Sequence, residues 1–83
     1  MNKVLVEVYV PSVGNTFDVY IPLESKVSEV SILLSHAIEE LLEGKYISDK
    51  NVTICDFANG KEYEKNKRIY ETNIDNGTKI MIT

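Results

Sequence analysis

The residues of this chain whose types are suited to chemistry are few: one cysteine, Cys55, one histidine, His36, and four glutamates at helical spacings, Glu29, Glu39, Glu40 and Glu43. A cysteine becomes a working nucleophile when a nearby base or helix N-terminus lowers its pKa. Local periodicity puts Cys55 on a strand and His36 on the outer face of a helix, so the helix layer separates them and Cys55 reads as a small strand residue. His36 lies within contact spacing of Glu39 and Glu40 and reads as a solvated helix-face histidine. The glutamates spread over several helical turns, with no loop converging oxygens on one point, so no metal site is expected. A single cysteine excludes an intrachain disulfide, a CxxC pair and a zinc cluster. Lys61, Lys65, Lys67 and Arg68 form a basic stretch, but Glu62, Glu64 and Glu71 interrupt it and stacking aromatics are sparse. With 13 acidic against 9 basic residues and a net charge of -4, the chain repels a phosphate backbone, and nucleic acid is not an expected partner. No catalytic residue and no cofactor is implied, so an enzyme is not expected.

The elements that must carry these residues follow from periodicity. In an 83-residue chain that is 43% hydrophobic and 27% charged, one small folded domain over residues 1–83 is expected. Val4, Val6, Val8 and Val10 alternate with Leu5, Glu7 and Tyr9, the period of a strand with one buried face. Turn residues follow from Pro11 to Asn15. Phe17, Val19 and Ile21 then alternate with Thr16, Asp18 and Tyr20 up to Pro22, which completes a hairpin. The period next becomes helical over residues 26–43, with Val27, Val30, Leu34, Ala37 and Leu41 as the apolar stripe, and Leu33 and Ile38 at its margins. Ser25 is placed to cap the start and Gly44 to close the end. Ile32 is the apolar exception on the acidic outer face.

After a polar connection over residues 45–50, residues 51–57 read as a third strand. Asn59-Gly60 suits a type I′ turn returning through residues 61–64. A loop leads through residues 69–74 to Asp75-Asn76-Gly77, and residues 78–83 form the last strand. No run approaches the ~20 apolar residues that span a bilayer, and no signal-peptide core opens the chain, so a cytoplasmic protein without membrane insertion is expected. The order is ββαββ. One amphipathic helix over one sheet makes a two-layer α+β domain, the β-grasp arrangement, with the first and last strands parallel at the centre of a mixed sheet.

The onset Val27-Ser28-Glu29-Val30 and the segment from Tyr70 to Ile82 are similar to those of ubiquitin-like proteins, and the resemblance covers nearly the whole chain. Gly14-Asn15-Thr16-Phe17-Asp18-Val19-Tyr20-Ile21 and Asn76-Gly77-Thr78-Lys79-Ile80-Met81-Ile82 resemble the YukD/EsaB group, stand-alone ubiquitin-like proteins that accompany type VII (WXG100/ESX) secretion systems in Gram-positive bacteria. The resemblance implies a cytoplasmic accessory or regulatory protein that docks noncovalently to a secretion-system component. Modifiers and sulfur carriers of this fold use a flexible diglycine tail, whereas this sequence ends Lys79-Ile80-Met81-Ile82-Thr83, so conjugation is not expected.

If the four valines face the helix, Leu5, Tyr9, Tyr20, Cys55 and Met81 share the uncovered sheet face. They are the candidate protein-binding residues, because interface cores favour aromatic residues and methionine, and ubiquitin-like proteins commonly bind through this face. A different function class, the small auxiliary β-grasp subunit of a multicomponent enzyme complex, fits the same architecture. Gene neighbours and copurifying chains distinguish the two.

Overall fold

The structure is a computed structural model that describes residues 2–43 and 52–83. Strands β1 (Lys3–Val10) and β2 (Asn15–Pro22) form an antiparallel hairpin, helix α1 (Val27–Leu41) follows, and β3 (Ile54–Asp56) and β4 (Lys79–Ile82) complete the sheet. Strand order is β2-β1-β4-β3, with β1 and β4 parallel at the centre and β3 antiparallel to β4. The expected β-grasp is therefore the fold, and the hairpin, the helix and the central parallel pair are found where the alternation put them.

The core is one continuous cluster. Val4, Val6, Val8 and Val10 of β1 and Ile80 and Ile82 of β4 meet Val27, Val30, Leu34 and Ile38 of the helix, closed at the ends by Ile21, Val52, Ile54, Ile69 and Ile74. Each fully buried aliphatic side chain contributes about 1.5–3 kcal/mol of transfer free energy, which makes these residues the source of stability. Among the described residues no buried side-chain polar atom lacks a hydrogen-bond partner. Ser31 and Ser35, buried on the helix, donate to the carbonyls of Ser28 and Ser31 at 2.7 and 2.9 Å.

Several local expectations need correcting. Ser25 does not cap the helix. The cap position is Lys26, whose amide donates to Glu29 Oε1 at 2.9 Å. The amides of Val27 and Ser28 donate to the carbonyls of Lys67 and Lys65 at 2.8 and 3.2 Å, so a distant loop satisfies the first turn and no serine is needed there. The apolar stripe is also rotated. Ile38 is buried at its centre with Ser31 and Ser35, while Leu33 and Leu41 are exposed, because the sheet beneath the helix covers a sector that small serines also fit.

The return strand at residues 61–64 is reduced to a single bridge, Cys55 with Glu62. Tyr63 donates its amide to Ile54 and packs on the core, after which the chain leaves the sheet to bring Lys65 and Lys67 to the helix. The preceding turn is not type I′. Gly60 has φ 74°, but Asn59 is not left-handed. Asp56 Oδ1 accepts from the Ala58 amide at 2.7 Å and starts the turn one step early, and the Asp56 carbonyl accepts from Gly60 at 2.8 Å. Before β4 the chain makes a short 3₁₀ turn, Ile69–Glu71. The Gly44 cap, the connection over residues 45–50 and the Asn51 start of the third strand lie outside the described residues.

Candidate interaction surface

The register of the sheet decides which outward side chains meet. Across the uncovered face run three rows: Tyr20 beside Leu5; Asp18 beside Glu7 beside Lys79; and Thr16 beside Tyr9, Met81, Cys55 and Glu62. The five candidate residues therefore do not make one patch. Leu5 and Tyr20 sit at one end, Tyr9, Met81 and Cys55 at the other, and a charged row separates them. Leu5 is half-buried, with its amide donating to Asn76 Oδ1 and its carbonyl accepting from Gly77, both at 2.8 Å. That close approach uses Gly77 at φ 84°, a region L side chains rarely adopt. Tyr20 is 63% exposed, and Tyr9 and Met81 are half-buried.

Cys55 offers little surface, being only 6% exposed between Met81 and Glu62. Burial, and secondarily the negative charge of Glu62, push its thiol pKa up, against a smaller lowering from a hydrogen bond with Thr83. A thiol raised this way stays protonated and unreactive. His36 is exposed on α1, on the other side of the molecule.

Phe57, just past β3, belongs to this face and is absent from the sequence-derived set. Its ring is 42% exposed and meets Tyr9 edge-on, with centroids 5.6 Å apart at 81°. Lys79 Nζ lies 4.2 Å from the Phe57 centroid and 5.9 Å from that of Tyr9. This is a cation–π arrangement on two rings, which fixes a long, otherwise mobile lysine over an aromatic pad. With Met81 beside Tyr9, the pad has the aromatic, sulfur and cationic character that interface cores favour. The signal for Phe57 was present in the sequence, since a residue two past Cys55 shares its face.

A second polar cluster ties the β3 turn to the loops beside it. The Asp56 carboxylate accepts from Ala58 N–H at 2.7 Å, Tyr63 Oη–H at 3.3 Å and Asn73 Nδ2–H at 3.5 Å. These bonds, the Ala58 amide foremost, hold its pKa below the usual carboxylate range. Burial and then the Asp56 charge push Tyr63 up to about 12. The cluster is a latch: its polar atoms are spent on one another. Among the described residues no group of three or more His, Cys, Asp or Glu could hold a metal, and no helix is long and apolar enough to cross a membrane.

No protein-family model matches the sequence, and no curated protein matches it. Solved structures do match. A chain of the "MycP5-free ESX-5 inner membrane complex" superposes with TM-score 0.83 at 16% identity over 100% of this chain and 21% of that one, so this chain spans about a fifth of its length. The EccD5 ubiquitin-like domain from Mycobacterium xenopi gives TM-score 0.83 at 12% identity, covering 100% of this chain and 94% of that domain. The ubiquitin-like domain of the Mycobacterium tuberculosis type VII secretion system protein EccD1 gives 0.79 at 9%, covering 99% and 98%. A chain of a toluene 4-monooxygenase complex gives 0.74 at 8%, covering 98% and 96%. The fold is that of a ubiquitin-like β-grasp domain. At these identities the likeness describes architecture, and β-grasp architecture serves unrelated tasks.

Proposed function

We propose that this chain is a ubiquitin-like accessory protein of a type VII secretion system, cytoplasmic in a Gram-positive bacterium, that acts by noncovalent docking to another protein of the machine. The observation that carries docking is the Tyr9–Phe57–Lys79 pad with Met81, an amphipathic surface on the sheet face opposite the helix. The assignment to secretion rests on the YukD/EsaB resemblance of Gly14 to Ile21 and Asn76 to Ile82, supported by likeness to EccD ubiquitin-like domains. Leu5 and Tyr20 form the outlying part of the contact, and Cys55 lies beside Met81 across the β3–β4 pair.

Affinity capture of the tagged protein from its native cells, under native and denaturing washes with mass spectrometry of what stays bound, tests the reading. Secretion-system proteins retained natively and lost on denaturation are the expected result; adducts that survive denaturation refute noncovalent docking. Met81→Asp with Leu5→Asp abolishes capture while leaving circular dichroism unchanged, and intact capture by that variant removes the sheet face from the proposal.

One observation favours a second reading. The likeness to a toluene 4-monooxygenase chain fits an auxiliary subunit of a multicomponent enzyme complex. Copurification with a metal-containing catalytic chain instead of a secretion protein selects it.

A further inference from the structure

Beyond the open end of the first hairpin, where Lys3 pairs with Pro22, the chain makes a pocket of about 540 Å³ with the 3₁₀ turn. It is lined by Asn2, Leu23, Glu24, Arg68 and Tyr70, none of which belongs to the sheet-face pad. Three segments of chain form its rim and are laced together by backbone bonds. The Leu23 amide donates to the Asn2 carbonyl at 2.9 Å, that of Tyr70 to Leu23 at 3.0 Å and that of Ile69 to Ser25 at 2.9 Å. With those main-chain groups engaged, recognition in the pocket falls to side chains on a fixed rim. The volume is in the range that accepts a small ligand or the end of a peptide.

Arg68 brings to this pocket a positive charge without a counter-charge. Its side chain is half-buried, and Nη1 donates to the Glu24 carbonyl at 2.6 Å, a bond that orients the planar guanidinium while leaving most of its five N–H donors unused. In a chain with 13 acidic residues, no ion pair among the described residues engages it. Glu71, three residues on, spends its carboxylate on the Arg68 backbone amide instead, at 2.8 Å. The apolar part of the lining comes from Leu23, which packs against the core, and from Tyr70, whose side chain is 59% exposed while its neighbour Ile69 takes the buried position of the turn.

These side chains select the ligand. A multiply charged phosphate suits the pocket poorly: one guanidinium is the only cation in the lining, Glu24 adds a negative charge beside it, and the Arg68 and Tyr70 amides are already bonded. A carboxylate carries a single negative charge and matches the guanidinium fork with two parallel bonds. A flat apolar group beside it would cover Leu23 and the Tyr70 ring. We propose that the pocket binds a carboxylate carried on a flat apolar body, the chemistry shared by a free aromatic acid and by the C-terminal residue of a peptide ending in phenylalanine or tyrosine. Arg68 takes the carboxylate, Leu23 and Tyr70 take the ring, and Glu24 turns away ligands with a second negative charge. The site works independently of docking through the sheet face.

The test titrates the full chain at pH 7, followed by NMR chemical shifts, with phenylacetate, with the tripeptide glycyl-glycyl-phenylalanine, and with the neutral amide of each. Expected is saturable binding of the acids with a roughly millimolar Kd, the range open to a ligand of about ten non-hydrogen atoms. Shifts should centre on Leu23, the Arg68 side chain and Tyr70, and the amides should bind about tenfold more weakly or worse. Tighter binding of the tripeptide assigns the site to a chain terminus, and tighter binding of phenylacetate to a free acid. Arg68→Gln should weaken the acids to the level of the amides. Because that change also removes the bond to Glu24, Tyr70→Ser serves as the second variant: it alters an exposed side chain, keeps the fold by circular dichroism and should weaken both acids several-fold. The proposal is overturned by no saturable shift at millimolar acid, by equal binding of acid and amide, or by shifts centred on Tyr9 and Met81. Binding unchanged by Tyr70→Ser, or displaced by an equal concentration of inorganic phosphate, also overturns it.

Discussion

The two faces of β1 are built from alternate residues of one strand and do different work. Val4, Val6, Val8 and Val10 are buried against the helix and Ile80, while Leu5, Glu7 and Tyr9 are half-buried or exposed on the other side. Neighbours on the inner face are apolar and the packing is dense, so a lost methylene leaves a cavity. On the outer face the neighbours alternate between apolar and charged, and the contacts that exist, such as Lys79 over Phe57, are surface contacts of small individual worth. One face sets stability, and the other leaves its side chains partly open to solvent.

The largest expected effect tests the inner face. Leu34→Ala should cost about 2–5 kcal/mol in urea unfolding, against near-zero change for a buried position that can collapse freely. Next is the turn that lets Asn76 and Gly77 reach Leu5. Gly77→Ala has open space for its new methyl group, so its cost is backbone strain alone, about 1–2 kcal/mol; a neutral substitution would show that the turn relaxes. For the outer face, a double-mutant cycle of Lys79→Gln and Phe57→Leu should return a coupling of about 0.5–1 kcal/mol, and a coupling of several would erase the contrast between faces. Smallest is Leu41→Ser, which should leave stability within about 0.5 kcal/mol, because the side chain is exposed in the folded chain as well.

The latch around Asp56 adds a pH signature of its own. A carboxyl whose folded pKa is depressed contributes stability that is present above the unfolded value near 3.9 and lost as pH falls through the folded value; Asp56→Asn should flatten that acid limb. Tyr63 is raised from 10.0 to about 12, so its contribution is complete below pH 10 and lost as pH climbs from there through about 12. Tyr63→Phe should remove that alkaline loss, leaving the part due to Cys55, and thermal melts between pH 2 and 12 read both limbs.

How much was legible beforehand differs by element. The valine alternation of β1, the helical period beginning at Val27 and the closing Ile80 and Ile82 each repeat often enough to identify type and face, and the two-layer β-grasp follows from their order. The pairing of Lys65 and Lys67 with the helix start did not, because the carbonyls that replace the Ser25 cap lie some forty residues away. Of the candidate surface, alternation correctly put Leu5, Tyr9, Tyr20 and Met81 on the outward side and carried the signal for Phe57. It did not say that Asp18, Glu7 and Lys79 divide that side, since a row across a sheet is a property of register.

Local periodicity by itself determined which residues of each element are apolar on the same side, because side-chain direction repeats every two residues in a strand and every 3.6 in a helix. Only the tertiary structure decided how wide a sector of α1 is covered, exposing Leu33 and Leu41 while burying Ser31 and Ser35. It also decided that Cys55 is closed in by Met81 and Glu62, and that Lys79 rests on Phe57 and Tyr9. Those outcomes depend on which strands become neighbours and where the helix sits above them. Both are set by contacts between residues far apart in the chain.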